Sequence, residues 1–539
     1  MDSCAKCGKP AEHRCSGCRE VVYCGKEHQR KHWKEHASSC KAYRLVENPE
    51  LGRHYVAQRR IASGEVVIRE EVPLVQGPQQ DTPPVCLGCG CLIRGDEGND
   101  ASASANENGK PCKPCPDCGW PLCNSCEKHG SECEFTQRYR DSKVTITGFG
   151  IPHPTYKCVS VIRALSLKDK DNAEAFEKFS RLASSAERDD CVEPREVARF
   201  VKRFFNKLDT FDEDEIARIA GILQINGHEV PITEPASIAV YDVSSYLEHS
   251  CKANCSKSFT NDGGIVIRAA KTIQKGEHLT ICYTDPLWGT ANRRHHLLRT
   301  KYFECTCRRC SDPTEFGTYF DAIKCTRSDC KGSMLPPSFL CTTEKSELPD
   351  YVCNECDARL SSQSVDLMID ELGKELMYLG PQGSVAASRQ WLETKALKQL
   401  HENHFYVTDV RIALSQMIGQ CSGGLPNVDP DLLAYKILLC QKLSKLLEII
   451  VPAENRVRGL VFFELHAALA EFGRRNCEDR DQLYTILLES RKSLTEAYQL
   501  LRYEPDVLPE GQIAKTARIN MREMDLIVQR WHENAVMPL

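Results

Sequence analysis

The sequence lacks the features of a membrane or secreted protein. In its 539 residues no apolar run is long and charge-free enough to span a bilayer, and the opening MDSCAKCGKP has no apolar signal-peptide core. It also lacks a strong charge, because 70 Lys and Arg against 75 Asp and Glu give −5. Binding of duplex DNA through overall positive charge is therefore not expected. The pattern also predicts no recognition helix after the Cys/His pairs.

Cysteine is what the sequence has in quantity. There are 31 cysteines in a chain where 41% of the residues are hydrophobic and 27% are charged, an ordinary globular composition. Without a secretion signal the thiols are expected to stay reduced, so zinc explains tight Cys pairs better than disulfides do. Metal binding also allows short polar segments to fold without a large core.

The first cluster occupies residues 4–40 and offers eight ligands, enough for two tetrahedral zinc ions. Its pairs are Cys4-x2-Cys7, Cys15-x2-Cys18, Cys24-x3-His28 and His36-x3-Cys40. With Tyr23, Gln29 and Trp33 between them, they resemble a MYND zinc finger. The resemblance implies binding of proline-containing peptides. It also implies interleaved ligands: Cys4, Cys7, Cys24 and His28 for one zinc, and Cys15, Cys18, His36 and Cys40 for the other.

Residues 50–78 alternate apolar and polar positions around the turn Ala62-Ser63-Gly64-Glu65, which predicts two short strands. This run is similar to the opening of a SET methyltransferase domain, including its glycine-containing cofactor loop. Here the loop is Gly52-Arg53-His54, so a histidine replaces the second glycine of the family. Histidine adopts positive φ less readily than glycine, and we expect this departure to affect cofactor affinity.

A second cluster of eight ligands lies inside the SET-like region, at residues 86–133. It resembles a degenerate MYND-type finger of the kind that the SET-and-MYND family carries there. The pairing we favour places Cys86, Cys89, Cys123 and Cys126 on one zinc and Cys115, Cys118, His129 and Cys133 on another. Cys91 and Cys112 are alternative ligands.

The segment Ser245 to Asn254 resembles the SET motif S-x-x-N-H-S-C-x-P-N. His-Ser-Cys and Asn254 are kept, whereas Glu248 stands where the family has Asn and Ala253 where it has Pro. An ionised carboxylate only accepts hydrogen bonds. Glu248 could accept from the cofactor's ammonium group, but its charge is expected to repel the cofactor's carboxylate. Downstream, the pattern I-x-x-G-E-x-L-T-I-x-Y and the ending F-E-C-x-C-x-x-C also match SET.

Three sets of site residues follow from this resemblance: a catalytic residue, the cofactor contacts and the ligands of one zinc ion. Tyr283 takes the position of the family's tyrosine and is the predicted catalytic residue. The cofactor contacts implied are Gly52, Arg53, His54, Asn226, Ser245, Leu247, Glu248, His249, Tyr283, Tyr302 and Phe303. The three thiolates of Cys305, Cys307 and Cys310 need a fourth ligand for zinc, and family geometry supplies Cys251. Four thiolates leave no open position, so this zinc is structural.

After the core, Cys325, Cys330, Cys353 and Cys356 are typical of a small zinc ribbon, with Cys341 as a substitute ligand. From about residue 365 the apolar residues repeat at i, i+3, i+4 and i+7, which predicts helices, and a TPR-like array resembles the family's C-terminal domain. The predicted class is α+β multidomain. The predicted segments are 1–42 (MYND), 43–85 (SET), 86–135 (inserted zinc module), 136–225 (helical insert), 226–300 (SET core), 301–312 (post-SET zinc), 313–362 (ribbon) and 363–539 (helical).

The chain is identified as a member of the SET-and-MYND family, and it resembles the arthropod branch. The first hypothesis is a protein-lysine N-methyltransferase that uses S-adenosylmethionine and zinc and acts on a lysine-bearing protein, histone or other. The second is an adaptor that binds proline-containing peptides through residues 4–40 and keeps SET only as a scaffold. We expect a monomer in the cytoplasm, the nucleus or both.

Overall fold

The computed structural model describes residues 3–15, 21–95, 109–169, 173–188, 191–340, 349–420, 422–476 and 479–536. The predicted α+β multidomain class is confirmed, because small β-sheets and helical layers occupy separate parts of the chain. In these residues no helix combines the length and the low charge that crossing a membrane would need.

The N-terminal finger pairs two short strands against one helix. Strands β1 (His13–Arg14) and β2 (Val22–Tyr23) are antiparallel, and helix α1 (Lys26–Cys40) follows. Its core consists of Tyr23 and the ligand thiols of Cys4, Cys15 and Cys40 rather than of a packed hydrophobic layer. A core this small agrees with metal as the main source of stability.

The SET-like region is built from short strands in several sheets. These strands are β3 (Tyr43–Asn48), β4 (Gly52–Ala57), β5 (Val66–Glu70), β6 (Val75–Pro78), β10 (His228–Val230), β11 (Ser237–Val240), β12 (Glu248–His249), β13 (Cys255–Phe259), β14 (Ile265–Ala269) and β15 (Thr280–Ile281). The sheet orders are β3-β4, β10-β11-β6, β13-β14-β5 and β12-β15, and only the last of these pairings is parallel. Strand β14 is buried along its whole length because it lies between β13 and β5.

An inserted zinc module and a helical layer separate the two halves of this region. The module has β7 (Ile93–Arg94), β8 (Lys110–Pro114), β9 (Pro121–Cys123) and α2 (Glu132–Tyr139). The layer has α3 (Val159–Asp169), α4 (Ala173–Ser180), α5 (Glu193–Phe204) and α6 (Glu213–Asn226), where the sequence predicts helices. Asp212 caps α6 by accepting a hydrogen bond from the Glu215 amide at 2.7 Å. Trp120 of the module is fully buried in the shared core, so module and layer fold as one body.

The rest of the chain is a small ribbon followed by helices. Helices α7 (Thr290–Lys301) and α8 (Arg308–Ser311) lead into β16 (Ile323–Lys324), β17 (Ser333–Leu335), β18 (Tyr351–Cys353) and β19 (Arg359–Leu360), which form one antiparallel sheet. Then come α9 (Ser362–Gln382), α10 (Val385–Trp391), α11 (Leu397–Gln399), α12 (Phe405–Met417), α13 (Pro430–Ile450), α14 (Asn455–Asn476), α15 (Arg480–Leu501) and α16 (Pro509–Val536). Successive helices from α12 to α16 pack on each other, as in an array of helical hairpins.

Candidate active site and zinc centres

At five of the six predicted zinc sites, the described residues bring four Cys or His ligand atoms within 4.8 Å of one another, in the combinations that the sequence analysis favours. They are Cys4/Cys7/Cys24/His28, Cys86/Cys89/Cys123/Cys126, Cys115/Cys118/His129/Cys133, Cys251/Cys305/Cys307/Cys310 and Cys325/Cys330/Cys353/Cys356. For the remaining predicted site, the Sγ atoms of Cys15 and Cys40 are 3.7 Å apart and His36 is buried. Its fourth ligand, Cys18, lies outside the described residues, as does the alternative ligand Cys341.

The donor atoms fit zinc. A tetrahedral ion with Zn–S bonds of about 2.3 Å sets its sulfurs about 3.8 Å apart. Within the groups the Sγ–Sγ separations are 3.7 Å for Cys7–Cys24, 3.9 Å for Cys115–Cys133 and 3.5 Å for Cys251–Cys310. With four protein ligands each, these are closed structural sites. Cys91 lies 3.3 Å from Cys89, next to such a group, but is not one of its four members.

A buried carboxylate supports one zinc ligand. Glu132 accepts a hydrogen bond from the Nδ1 of His129 at 2.9 Å and pairs with the Arg163 guanidinium at 2.7 Å. Burial alone would raise the pKa of Glu132, but the charge of Arg163 and the bond with His129 hold it at about 2. Arg163 also donates to the carbonyls of Gln76 and Leu87. The ligand ring is therefore oriented by a network that reaches the SET sheet.

A cavity of about 1070 Å³ lies between the SET-like region and the helical domain. It is lined by predicted cofactor contacts, namely Gly52, Arg53, Asn226 and Ser245. Tyr283 also lies on its wall, and the helical domain contributes further lining residues, for example Glu454 and Asn455. Gly52 has φ of +66°, a left-handed conformation that favours glycine at the end of the β3–β4 turn.

Tyr283 is held by the motif that precedes it. Its hydroxyl donates to the Leu247 carbonyl oxygen, and its amide donates to the His249 Nδ1 at 3.1 Å. Burial raises the pKa of Tyr283 above its usual range, so the hydroxyl stays protonated at neutral pH. The phenol can therefore orient a ligand by accepting a hydrogen bond, but it is not a base. His249 in turn lies 3.3 Å from the Cys251 Sγ, so the zinc group and the tyrosine share a support.

Two of the departures from the family motifs, His54 and Glu248, contact one third residue, His278. The Glu248 Oε2 is 2.6 Å from the Nδ1 of His278, and the His54 ring stacks on the His278 ring. In the described chain neither His54 nor Glu248 is among the residues that line the cavity. His54 belongs to β4 and has no positive φ, so the missing glycine causes no backbone strain there.

Four further predicted contacts also lie off the cavity wall, as the described residues place it: Leu247, His249, Tyr302 and Phe303. The Tyr302 hydroxyl instead contacts the Cys191 Sγ and the Gln224 amide, both at 2.9 Å. Phe303 packs beside the Cys251 zinc group, with its ring 5.7 Å from that of His249. These four residues are therefore not cavity-lining residues, and Tyr302 and Phe303 contact other parts of the described structure.

Three residues of this region were missed by sequence reasoning. His278 carries no motif, because its role depends on two residues distant in sequence. Lys301 resembles any basic residue at a helix C-terminus, yet it lines the cavity beside Tyr283. Thr284 is also on the wall, and its buried Oγ1 has no hydrogen-bond partner in the described structure. Only the position of Thr284 next to Tyr283 could have drawn attention to it.

Comparison with known proteins agrees with this geometry. The MYND finger model matches residues 4–40, and the SET domain model matches residues 52–284. SET domain-containing protein SmydA-8, isoform A, of Drosophila melanogaster is 28% identical over 342 residues, which cover 59% of this chain and 70% of that protein. Histone-lysine N-methyltransferase ASHR1 of Arabidopsis thaliana is 21% identical over 77% of this chain and 84% of its own length.

A third relative matches a shorter part. Histone-lysine N-methyltransferase SMYD3 of Homo sapiens is 42% identical over 77 residues, 14% of this chain and 18% of that protein. Zinc and S-adenosylmethionine are the cofactors of the two matched domains, and the grouped ligands and the cavity agree with both. With a MYND finger, a SET domain split by a second zinc module, and a helical C-terminal region, this chain has the domain composition of a SET-and-MYND protein.

Proposed function

We propose that this protein is an S-adenosylmethionine-dependent protein-lysine N-methyltransferase that acts on histone or other proteins in transcriptional regulation. The observation that carries the proposal is the cavity, whose wall includes Gly52, Arg53 and Tyr283 together with residues of the helical domain. One cavity thus brings together predicted cofactor contacts and a tyrosine to orient an amine.

The residues present fit the cofactor. Ligand cavities have volumes of roughly 300–1,000 Å³, and this one is about 1070 Å³. The unpaired Thr284 Oγ1 on its wall is a buried polar atom in need of a partner. Glu248 is paired with His278, so the repulsion expected from the sequence is directed away from the cavity. When bound, S-adenosylmethionine supplies the methyl group.

The chain's own groups orient the acceptor and exclude water. The Tyr283 hydroxyl uses its proton on Leu247, which leaves its lone pairs to accept a hydrogen bond from an incoming amine. Holding that amine in position supplies much of the rate acceleration. Across the cavity, the Asn455 amide donates to the Ser256 hydroxyl at 2.9 Å, and the Ser258 hydroxyl donates to Glu504 at 2.7 Å. These contacts fix the helical domain as the outer wall.

The test combines binding and turnover. We expect S-adenosylhomocysteine to bind the zinc-loaded protein in calorimetric titration, and Tyr283→Phe to bind it equally well. Turnover on a lysine-bearing protein should fall at least about tenfold in that variant. Tyr241→Phe is the matched control, because its buried hydroxyl donates to the Gly263 carbonyl away from the wall. Absence of binding by the wild-type protein would contradict the proposal.

That outcome would favour the second candidate, a peptide-binding adaptor. One observation favours it: Trp33 on α1 of the finger is 47% exposed, an unusual position for a large aromatic side chain. Proline-containing peptides would be the partner, and titration with such peptides would then replace titration with cofactor. Trp33→Ala should abolish that binding if the adaptor assignment is correct.

A further inference from the structure

Lys301 places an amine inside the candidate active site. It is the last residue of α7, and its Nζ donates to the carbonyl oxygens of Gln224 at 3.2 Å and Ile225 at 2.8 Å. Those two residues come directly before Asn226, a predicted cofactor contact on the cavity wall. The Nζ is also 5.9 Å from the centre of the Tyr283 ring. The amine therefore lies close both to the predicted cofactor contact Asn226 and to the predicted catalytic residue Tyr283.

The described residues give the amine no counter-charge. None of their carboxylates forms an ion pair with Lys301, and the charged neighbour that acts on it is Lys257. Burial, with a smaller contribution from Lys257, lowers the pKa of Lys301 to about 8. About a tenth of the side chains are then neutral at pH 7. A desolvated, partly neutral lysine is the form of this side chain that acts as a nucleophile.

The two carbonyl groups orient the neutral form. A neutral amine has two N–H groups and one lone pair. Since both N–H groups have an acceptor, at Gln224 and at Ile225, the lone pair of the neutral amine is not engaged by these two contacts. This is the arrangement that transfer to a lysine requires of an acceptor: neutral, shielded from water and held in one orientation.

Resting on the proposed function, we propose that Lys301 is itself a methyl acceptor, modified within the same molecule. The lone pair of the neutral Nζ forms a bond to the methyl carbon of S-adenosylmethionine while the bond from that carbon to sulfur breaks. Sulfur keeps the electron pair and leaves as the thioether S-adenosylhomocysteine. The methylated nitrogen, now positively charged, can lose a proton to water. No other reactant is needed.

In the experiment, the zinc-loaded full chain is incubated with S-adenosylmethionine that carries a deuterated methyl group, and no substrate protein is added. The label is then located in the chain. We expect the label on the peptide that contains Lys301, in a fraction per unit time that is independent of protein concentration. Lys301→Arg should remove the label. Lys275→Arg is the matched control, because Lys275 is exposed and is not among the residues that line the cavity. Its label on Lys301 should remain.

A second readout does not depend on turnover. S-adenosylhomocysteine should protect Lys301 of the wild-type protein from an amine-acylating reagent, while Lys275 stays more reactive. Protein that binds S-adenosylhomocysteine and methylates an added protein, yet carries no label at Lys301, would overturn this inference and leave the proposed function intact. Protein that binds no S-adenosylhomocysteine would overturn both. Label that rises with protein concentration would also overturn modification within one molecule.

Discussion

The imidazole rings of His54 and His278 stack with their centroids 4.6 Å apart and an angle of 24° between their planes. His54 is buried, and His278 bridges it to the Glu248 carboxylate. The substitutions at positions 54 and 248 of the SET motifs are thus parts of one cluster. Each makes structural sense beside the other, and neither places its side chain on the wall of the cavity.

We expect Glu248→Asn alone to leave the affinity for S-adenosylhomocysteine within about threefold, a difference below 1 kcal/mol. Its main effect should be loss of the pair with His278. Both partners are partly exposed, so a double-mutant cycle with His278→Ala should give a coupling of roughly 0.5–1 kcal/mol in stability. A large gain of cofactor affinity in Glu248→Asn would show that the carboxylate does reach the cofactor.

Metal analysis should find six zinc ions per chain, one for each of the five described groups and one for the site that includes Cys15 and Cys40. Cys251→Ser should lower this number by one and lower the melting temperature, because three thiolates remain where four are needed. Cys282→Ser is a suitable control, since Cys282 is a buried thiol outside these five described groups. Six zinc ions in Cys251→Ser would remove Cys251 from the ligands.

Glu132→Gln should weaken zinc at the His129 centre by about 10- to 100-fold, because the carboxylate that orients the imidazole is lost. Competition with a chelator of known affinity measures this change. The exposed neighbour Glu134 provides the control substitution, Glu134→Gln. If both variants bind zinc as tightly as the wild-type protein, the network of Glu132 and Arg163 does not support His129 as a ligand.

Asp321→Asn should stabilise the protein at alkaline pH. Burial, together with the charge of Glu315, raises the pKa of Asp321 well above its usual range. A carboxyl with a raised folded-state pKa favours folding while it is protonated, and that stability is lost as pH rises toward the folded-state pKa. Asparagine mimics the protonated form and can still accept from the Thr290 amide. The gain in melting temperature should shrink as pH is lowered to 5, and a gain equal at pH 5 and pH 8 would contradict this explanation.

Local spacing marked the ligand pairs in the sequence, as in Cys305-x-Cys307-x2-Cys310, and the family resemblance supplied how the pairs combine around each ion. Neither could predict which side chains meet at the cavity. The Lys301 amine donates to carbonyls at the end of α6 that lie about 75 residues earlier in the sequence. The Ser258 hydroxyl donates to Glu504, which is 246 residues later. Such contacts depend on how the modules pack, and no periodicity or motif encodes them.

Arg309 shows what that packing means for the whole molecule. Its Nη1 donates to the carbonyls of Cys251, Pro286 and Ile450. Cys251 is a predicted zinc ligand, Pro286 follows Tyr283 by three residues, and Ile450 ends α13. Arg309 directly precedes the ligand Cys310, so its position is set by the metal. Loss of this single zinc should therefore loosen the helical domain from the SET core. Zinc supply would then decide whether a substrate finds a closed groove or an open one.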